Sequence, residues 1–166
     1  MATIKELAEQ NAFPPASSDG TTVDVAAEAR AAYVDRVISF VDVSALRPLK
    51  IVVNAGHGTA GPTFDAIAKR LQQLGASLVF DRVFHEPDGT FPQGIPNPLL
   101  LENQPATANA VLAAGADFGV AWDGDFDRCF LFDDKGAFVD GEYIVGLLAE
   151  AFLAKDPGAT IIHDPR

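Results

Sequence analysis

Cysteine, positive charge and long apolar runs are what this sequence has least of. One cysteine, Cys129, stands among 166 residues, so no internal disulfide can form, and no N-terminal charged and apolar run resembles a secretion leader. Both features predict a reducing cytoplasm. Lys and Arg number 12 against 23 Asp and Glu, a formal net charge of −11. A field of that sign repels phosphate backbones and anionic lipid heads, which argues against nucleic acid and membrane surfaces as partners. An anionic substrate would need a metal ion, or a few placed Arg or Lys, to reverse the field locally. The longest apolar candidate, 118–122, runs straight into Asp123, far short of the ~20 residues a bilayer demands. No internal repeat is found. What remains is 48% apolar and 21% charged, ordinary for a globular chain and unlike a disordered one, at a length that suits one core.

The pattern along the chain predicts an α/β fold. Residues 4–10 suit two helical turns, and the Pro- and Ser-rich stretch 13–20, with Ser17 and Ser18, reads as linker, so 1–20 look like the end of something else. Ala26, Ala29, Tyr33, Val37, Phe40 and Val41 mark one face of a helix, with Thr22 or Asp24 as N-cap. Residues 49–54 read as a buried strand entering the tight loop 56–61. Pro62 suits the first position of a helix whose face is Phe64, Ile67, Ala68, Leu71 and Leu74 and whose stop is Gly75. With a strand at 78–80, this is a βαβ unit. Pro87, Pro92, Pro96 and Pro98, with Gly89 and Gly94, exclude helix or central strand from 86–102 and demand an ordered, irregular connection. A helix follows from near Pro105 to Gly115. Strands at 116–122 and 129–132 flank an acidic loop, and 133–136 turn the chain into a short strand at 137–139. A helix over 142–154, with Ile144, Leu147, Leu148 and Ala151 on one face, and a strand at 160–163 complete the reading.

The chemistry gathers in the acidic loop. Asp123, Asp125 and Asp127 sit at i, i+2 and i+4 after an apolar strand, and side chains two apart share one side of an extended chain. Fully extended, their Cα atoms would stand ~6.6 Å apart per step, too wide for one small cation, so the loop must curl, and Gly124 is expected to permit it. Three carboxylates beside the single Arg128 are costly without a cation, and all-oxygen ligands favour Mg²⁺, Mn²⁺ or Ca²⁺. A solvated acidic turn is the plain alternative. An EF-hand is excluded, because Arg128 stands where that loop requires Gly and the flanks are strands. A haloacid-dehalogenase-type phosphatase would make Asp123 a nucleophile and Asp125 its acid/base. That motif normally has Thr or Val at the place of Asp127, and its later acidic pair should lie further on than Asp133 and Asp134. It stays as one alternative, and a non-catalytic metal-binding module as another.

Lesser signals have quieter readings. Gly56, Gly58 and Gly61, with Asp81 downstream, fit the bare glycine spacing of a dinucleotide fingerprint, though no Gly-Lys-Ser/Thr follows. His57, His85 and His163 show no ligand spacing and read as ordinary hydrogen-bonded residues. Trp122 is expected to pack its strand, and Cys129 to be a small buried hydrophobe.

Asp123-Gly124-Asp125-Phe126-Asp127-Arg128 resembles the D-G-D-x-D-R metal loop of the α-D-phosphohexomutases. Further motifs look like the same family's second domain, in its order. They are Val53-Asn54-Ala55-Gly56-His57-Gly58-Thr59-Ala60-Gly61-Pro62, Pro87-Asp88-Gly89-Thr90-Phe91-Pro92, Pro96-Asn97-Pro98-Leu99 with Glu102-Asn103, and Asp164-Pro165-Arg166. Within the family the sequence is most similar to the bacterial phosphomannomutase/phosphoglucomutase branch. The resemblance implies a three-layer α/β/α domain with a mixed, mainly parallel sheet over 21–166, residues 1–20 being linker and the exit of a preceding domain. It implies Mg²⁺ held by Asp123, Asp125 and Asp127, with Arg128 beside the transferring phosphoryl group. The activity implied is interconversion of hexose 6-phosphate and hexose 1-phosphate, of mannose or glucose, through a phosphoserine and a 1,6-bisphosphate. None of Ser17, Ser18, Ser39, Ser44 and Ser77 carries the family's T-A-S-H-N-P flanks. The resemblance therefore implies a fragment, inactive alone, whose partners are the family's first, third and fourth domains.

Overall fold

Leu49–Asn54 (β1) is the strand about which the fold is built. Its β-branched run Ile51, Val52 and Val53 is buried on both faces, the mark of an interior strand in a parallel sheet. Leu78–Val83 (β2) and Phe118–Trp122 (β3) run parallel to it on either side. Cys129–Phe132 (β4) and Phe138–Val139 (β5) extend the sheet antiparallel, giving the order β2-β1-β3-β4-β5. The mixed sheet thus keeps its parallel pairings around β1. The structure, a computed structural model, describes residues 2–13, 15 and 20–164; Ser17 and Ser18 of the expected linker, and Pro165 and Arg166 of the Asp-Pro-Arg motif, lie outside them.

Five α-helices accompany the sheet: Ala2–Glu9 (α1), Ala26–Ile38 (α2), Ala60–Gln73 (α3), Gln104–Ala114 (α4) and Gly141–Lys155 (α5). Strand alternation sends Ile51 and Val53 to one face of β1 and Val52 to the other. Ile51 and Val53 meet Phe64 and Ala68 of α3, while Val52 meets Val111 of α4, with Ala116, Ala121 and Phe132. Three layers result, with α2 lying outside against α3. At Gly119 a Cβ would stand 2.6 Å from Val111 Cγ2, so α4 reaches β3 only over a glycine. Both core helices end in a Schellman motif. Ala76 N–H bonds Leu71 O and Gly75 N–H bonds Gln72 O; Ala116 and Gly115 repeat the pattern on Val111 and Leu112. Gly75 is thus the stop expected, whereas Pro62 falls two residues inside α3.

Four expectations are corrected. In α2 the buried residue is Val34, while Tyr33 and Phe40 are exposed, because this helix covers another helix and needs only a narrow contact. Asp24 does assist its start, accepting Ala26 N–H at 2.9 Å, although Val25 holds the cap position. No residue of α5 is buried, and of the apolar face expected there Leu147 and Leu148 are exposed. Residues 160–163 form no strand, and Ile162 is 94% exposed; a strand requires a neighbour to complete its ladder, and this run has none among the described residues. Cys129 is exposed, since it pairs with Trp122 on one side but β5 reaches only Leu131 and Phe132 on the other. Among the described residues no helix is long and apolar enough to cross a membrane.

Candidate metal centre

β1 and β3 are neighbours, yet the chain leaves them in opposite directions. From β1 it passes through α3 to β2, and from β3 it turns back into β4 and β5. Such a reversal is a topological switch point, where loops at the carboxyl ends of the strands part and leave a crevice for ligands. Here those loops are 55–59 and 123–128. The crevice is lined by Asn54, Gly56, Pro96, Asn97, Asn103 and Trp122, among others.

The second loop brings the three aspartates together. Asp123 is 1% exposed, Asp125 and Asp127 are open to solvent, and one oxygen from each lies within 4.8 Å of the others. Oxygens bound to one hard cation at ~2.0–2.6 Å stand at most ~5 Å apart, so the spacing suits a single ion. The left-handed residue of the curl is Phe126, at φ +67, and not Gly124 as expected. Phe126 N–H reaches Asp123 O at 3.3 Å. Its ring stands edge-on to Trp122 at 5.3 Å between centroids, and Trp122 packs in turn on Phe64. That packing offsets a backbone cost of ~1–2 kcal/mol for a non-glycine residue in this conformation.

Arg128 organises the charge. Its backbone N–H donates to Asp123 Oδ1 at 3.0 Å and its Nε to Oδ2 at 2.6 Å, while Asp127 Oδ1 lies 3.5 Å from the same Nε. Burial pushes the Asp123 carboxyl up, but the Arg128 amide and guanidinium outweigh it and hold the group below the usual carboxylate range. The Arg128 guanidinium is raised in turn, chiefly by its bond to Asp123. Three carboxylates against one guanidinium leave an excess of two negative charges, which is the complement of a divalent cation. A carboxylate offers about four lone-pair sites, so Asp123 keeps acceptor capacity toward a metal after both bonds from Arg128. The donor set therefore fits a hard divalent ion.

A carboxyl depressed on folding adds stability above its unfolded pKa, and that stability is lost as pH falls through the folded value. The metal-free chain is accordingly expected to weaken below about pH 4, and Asp123→Asn to flatten that acid limb. Urea melts of both proteins between pH 3 and 6 check this, and parallel curves would contradict it.

The remaining residues of the two loops were not singled out by sequence reasoning as part of the site. Thr59 N–H donates to Gly124 O at 3.0 Å. His57, at φ +59, donates its N–H to Phe84 O, accepts from Asp88 N–H, and its Nδ1 lies 2.9 Å from Glu86 O. The proline-rich connection is indeed irregular and ordered, since Asn103 Nδ2 donates to Ile95 O and Asn97 O. Asn54 is buried and satisfied, accepting Gly56 N–H and donating to Thr107 Oγ1. Positive φ at non-glycine positions is invisible in residue patterns, which explains the omission.

The dinucleotide spacing is filled by protein. Gly58 faces Gly124, Gly61 faces the His85 carbonyl, and Asp81 is paired with Lys50 at 3.2 Å. His85 Nε2 lies 3.0 Å from Asp65 Oδ2 and His163 Nδ1 3.0 Å from Asp164 O. No histidine joins the carboxylates, the only such cluster among the described residues.

Comparison with known proteins gives a consistent picture. The family described as phosphoglucomutase/phosphomannomutase, alpha/beta/alpha domain II, matches residues 31–136. Phosphomannomutases of Salmonella typhimurium and Escherichia coli K12 are each 55% identical over 163 residues, 98% of this chain and 36% of theirs. Phosphohexose mutases of Xanthomonas campestris are 56% identical over 151 residues, 91% of this chain and 33% of theirs. Among solved structures, a phosphoglucomutase/phosphomannomutase family protein from Burkholderia thailandensis superposes with a TM-score of 0.72 at 31% identity, over 95% of this chain and 32% of that one. A putative phosphomannomutase from Thermus thermophilus shares the fold, with a TM-score of 0.65 at 22% identity over 81% of this chain and 30% of that one. The chain thus spans about a third of the length of the curated relatives it matches.

Proposed function

Because the chain belongs to the phosphoglucomutase/phosphomannomutase family, as its α/β/α domain II, we propose that it is the metal-carrying part of a phosphohexomutase. The longer enzyme would interconvert hexose 6-phosphate and hexose 1-phosphate, of mannose or glucose, in the cytoplasm. Asp123, Asp125 and Asp127 would hold Mg²⁺, which supplies charge neutralisation where a phosphoryl group transfers. The observation that carries this reading is the convergence of three carboxylates within 4.8 Å at the switch point.

Arg128 has a double role in this proposal. Its Nε orients Asp123, while the side chain is 50% exposed, so further N–H donors of the fork are open to an anionic oxygen. A guanidinium placed there favours the charge that spreads over a transferring phosphoryl group. The phosphoserine that donates, and the 1,6-bisphosphate formed from it, belong to parts of the enzyme outside this chain. The same holds for the domains we propose to cover α1 and α5, whose described residues are exposed or at most half-buried. Of the expected 21–166 domain, the core itself is carried by β1 through β5 with α3 and α4.

The phosphatase alternative needs Asp123 as an exposed nucleophile. Here Asp123 is 1% exposed and both its oxygens accept from Arg128, which supports the role of a fixed charged anchor over that of a nucleophile. The experiment is to assay mannose 1-phosphate conversion by the longer enzyme with and without Asp127→Asn, and by this chain alone. The substitution is expected to lower kcat on the order of 100-fold, with no turnover by the isolated chain. Phosphate release from hexose 6-phosphate by the isolated chain would overturn the proposal.

A further inference from the structure

Outside the carboxylate cluster, the two loops of the site meet main chain to main chain. A Cβ built on Gly58 would lie 2.5 Å from Gly124 O and 2.9 Å from Gly124 Cα. Those are main-chain atoms, so no side-chain rotation can relieve the overlap. The same Gly124 carbonyl accepts Thr59 N–H at 3.0 Å and Thr59 Oγ1 at 3.4 Å. The peptide in question joins Gly124 to Asp125, and because a peptide unit is planar, fixing its carbonyl also fixes the direction in which the chain enters Asp125.

The glycine-rich loop is closed on itself by Gly58 N–H to Ala55 O at 2.8 Å, and it is anchored to the segment after β2 through His57, whose N–H bonds Phe84 O at 2.7 Å and whose carbonyl accepts Asp88 N–H at 2.8 Å. Thr59 precedes α3, whose Phe64 and Ala68 are packed into the core. Behind the acidic loop stand Pro96 and Phe91, whose side chains a Cβ on Gly124 would meet at 3.4 and 3.6 Å. Asp125, by contrast, is exposed, and its side chain meets only that of Asp123 among the interactions described. Its position is set by the peptide before it and by Phe126 after it.

We propose that Gly58 and Thr59 are positioning residues of the metal centre, which hold Asp125 in register with Asp123 and Asp127 through the carbonyl of Gly124. The proposal rests on the metal reading above. Any side chain at 58 pushes the 124–125 peptide toward the crevice and opens the cluster, without altering a single carboxylate. Thr59 acts through its main-chain N–H, with a smaller share from its hydroxyl.

The test uses the 166-residue chain and Mn²⁺, read as loss of the free-ion electron paramagnetic resonance signal. Gly58→Ala is expected to bind about tenfold more weakly, the cost typical of losing a group that supports a ligand. Thr59→Val should lose about threefold, as for one neutral hydrogen bond, and Thr59→Ser should bind as wild type. Amide resonances of the metal-free proteins give an independent reading. Gly58→Ala should move those of 125–128 and leave the 133–136 turn in place. A folded Gly58→Ala with wild-type affinity and unmoved 125–128 resonances would overturn the proposal; should that variant fail to fold, wild-type affinity and unmoved 125–128 resonances in Thr59→Pro, which lacks the main-chain N–H, would do so. If wild type itself binds no Mn²⁺, the metal reading fails, and the metal-free resonances still decide the bracing.

Discussion

Asp123→Asn is expected to reduce divalent-cation affinity on the order of 100-fold or more, beyond the ~10–100-fold that loss of an outer-shell partner brings. The reasons compound. The substitution removes a full charge from a cluster whose excess of negative charge is what attracts a cation, and Asp123 is its only buried member. It also reverses the polarity of one Arg128 contact. Asp123 Oδ1 accepts the Arg128 backbone N–H and Oδ2 accepts Nε at 2.6 Å. An asparagine can keep only one of these with its carbonyl and turns an N–H donor toward the other. Freed from Asp123, the guanidinium would swing toward Asp127, already 3.5 Å away, and compete there with the metal. The stability cost in metal-free protein is about 1–2 kcal/mol, below the full value of a buried charged pair because Arg128 is half exposed. Asp127→Asn should weaken metal binding as well but cost little stability, its side chain being 73% exposed. Calorimetric titration of Mg²⁺ with both variants, beside their urea melts, separates the two contributions. Equal stability losses would show that Asp123 is not the anchor.

Phe132→Ala is expected to destabilise the chain by about 3–5 kcal/mol, a large part of the ~5–15 kcal/mol that holds a domain together. Phe132 is 1% exposed and the largest fully buried side chain among the described residues. It fills the layer beneath α4 with Val52, Val111 and Ala121, and its ring meets Phe138 edge-on at 5.5 Å. The register opposes it to Gly119, which has no side chain of its own to fill part of the gap, so much of the cavity stays open. At the size of this chain such a loss lowers the melting temperature by roughly 10 °C or more. Because β4 carries the chain away from the acidic loop, metal binding should fall with stability and recover on cooling. Differential scanning calorimetry checks the first point; a shift under about 2 °C would place the core elsewhere.

Much of this architecture was legible because its signals are local. The β-branched run 51–53, the glycine stop at Gly75, the proline density of 86–102 and the alternation around Asp123 each act within a few residues, and the elements stand where those signals put them. The aspartate cluster was legible for the same reason, since three carboxylates on one loop need no knowledge of the fold. What could not be read depends on partners distant in sequence. The phase of α2 follows from its lying against α3, and the failure of 160–163 to form a strand follows from the lack of a neighbour among the described residues. The curl at Phe126 depends on a ring contact with Trp122, whereas sequence reasoning assigns left-handed backbone to glycine by default. The bracing of Gly124 by Thr59 spans 65 residues of sequence and leaves no periodic trace. The resemblance to phosphohexomutases pointed to the three aspartates and Arg128 as candidates, but not to how Arg128 holds Asp123.

If Asp123, Asp125 and Asp127 together take one hard divalent ion, as proposed, the ion sits beside an indole. The most direct measurement is titration of Mn²⁺ into the intact chain, following quenching of Trp122, the only tryptophan and the residue next to Asp123. Saturable quenching at one ion per chain is expected, reversed by excess Mg²⁺ and abolished in the Asp123→Asn, Asp127→Asn double variant. Quenching that rises linearly without saturation, or persists in that variant, would contradict the proposal.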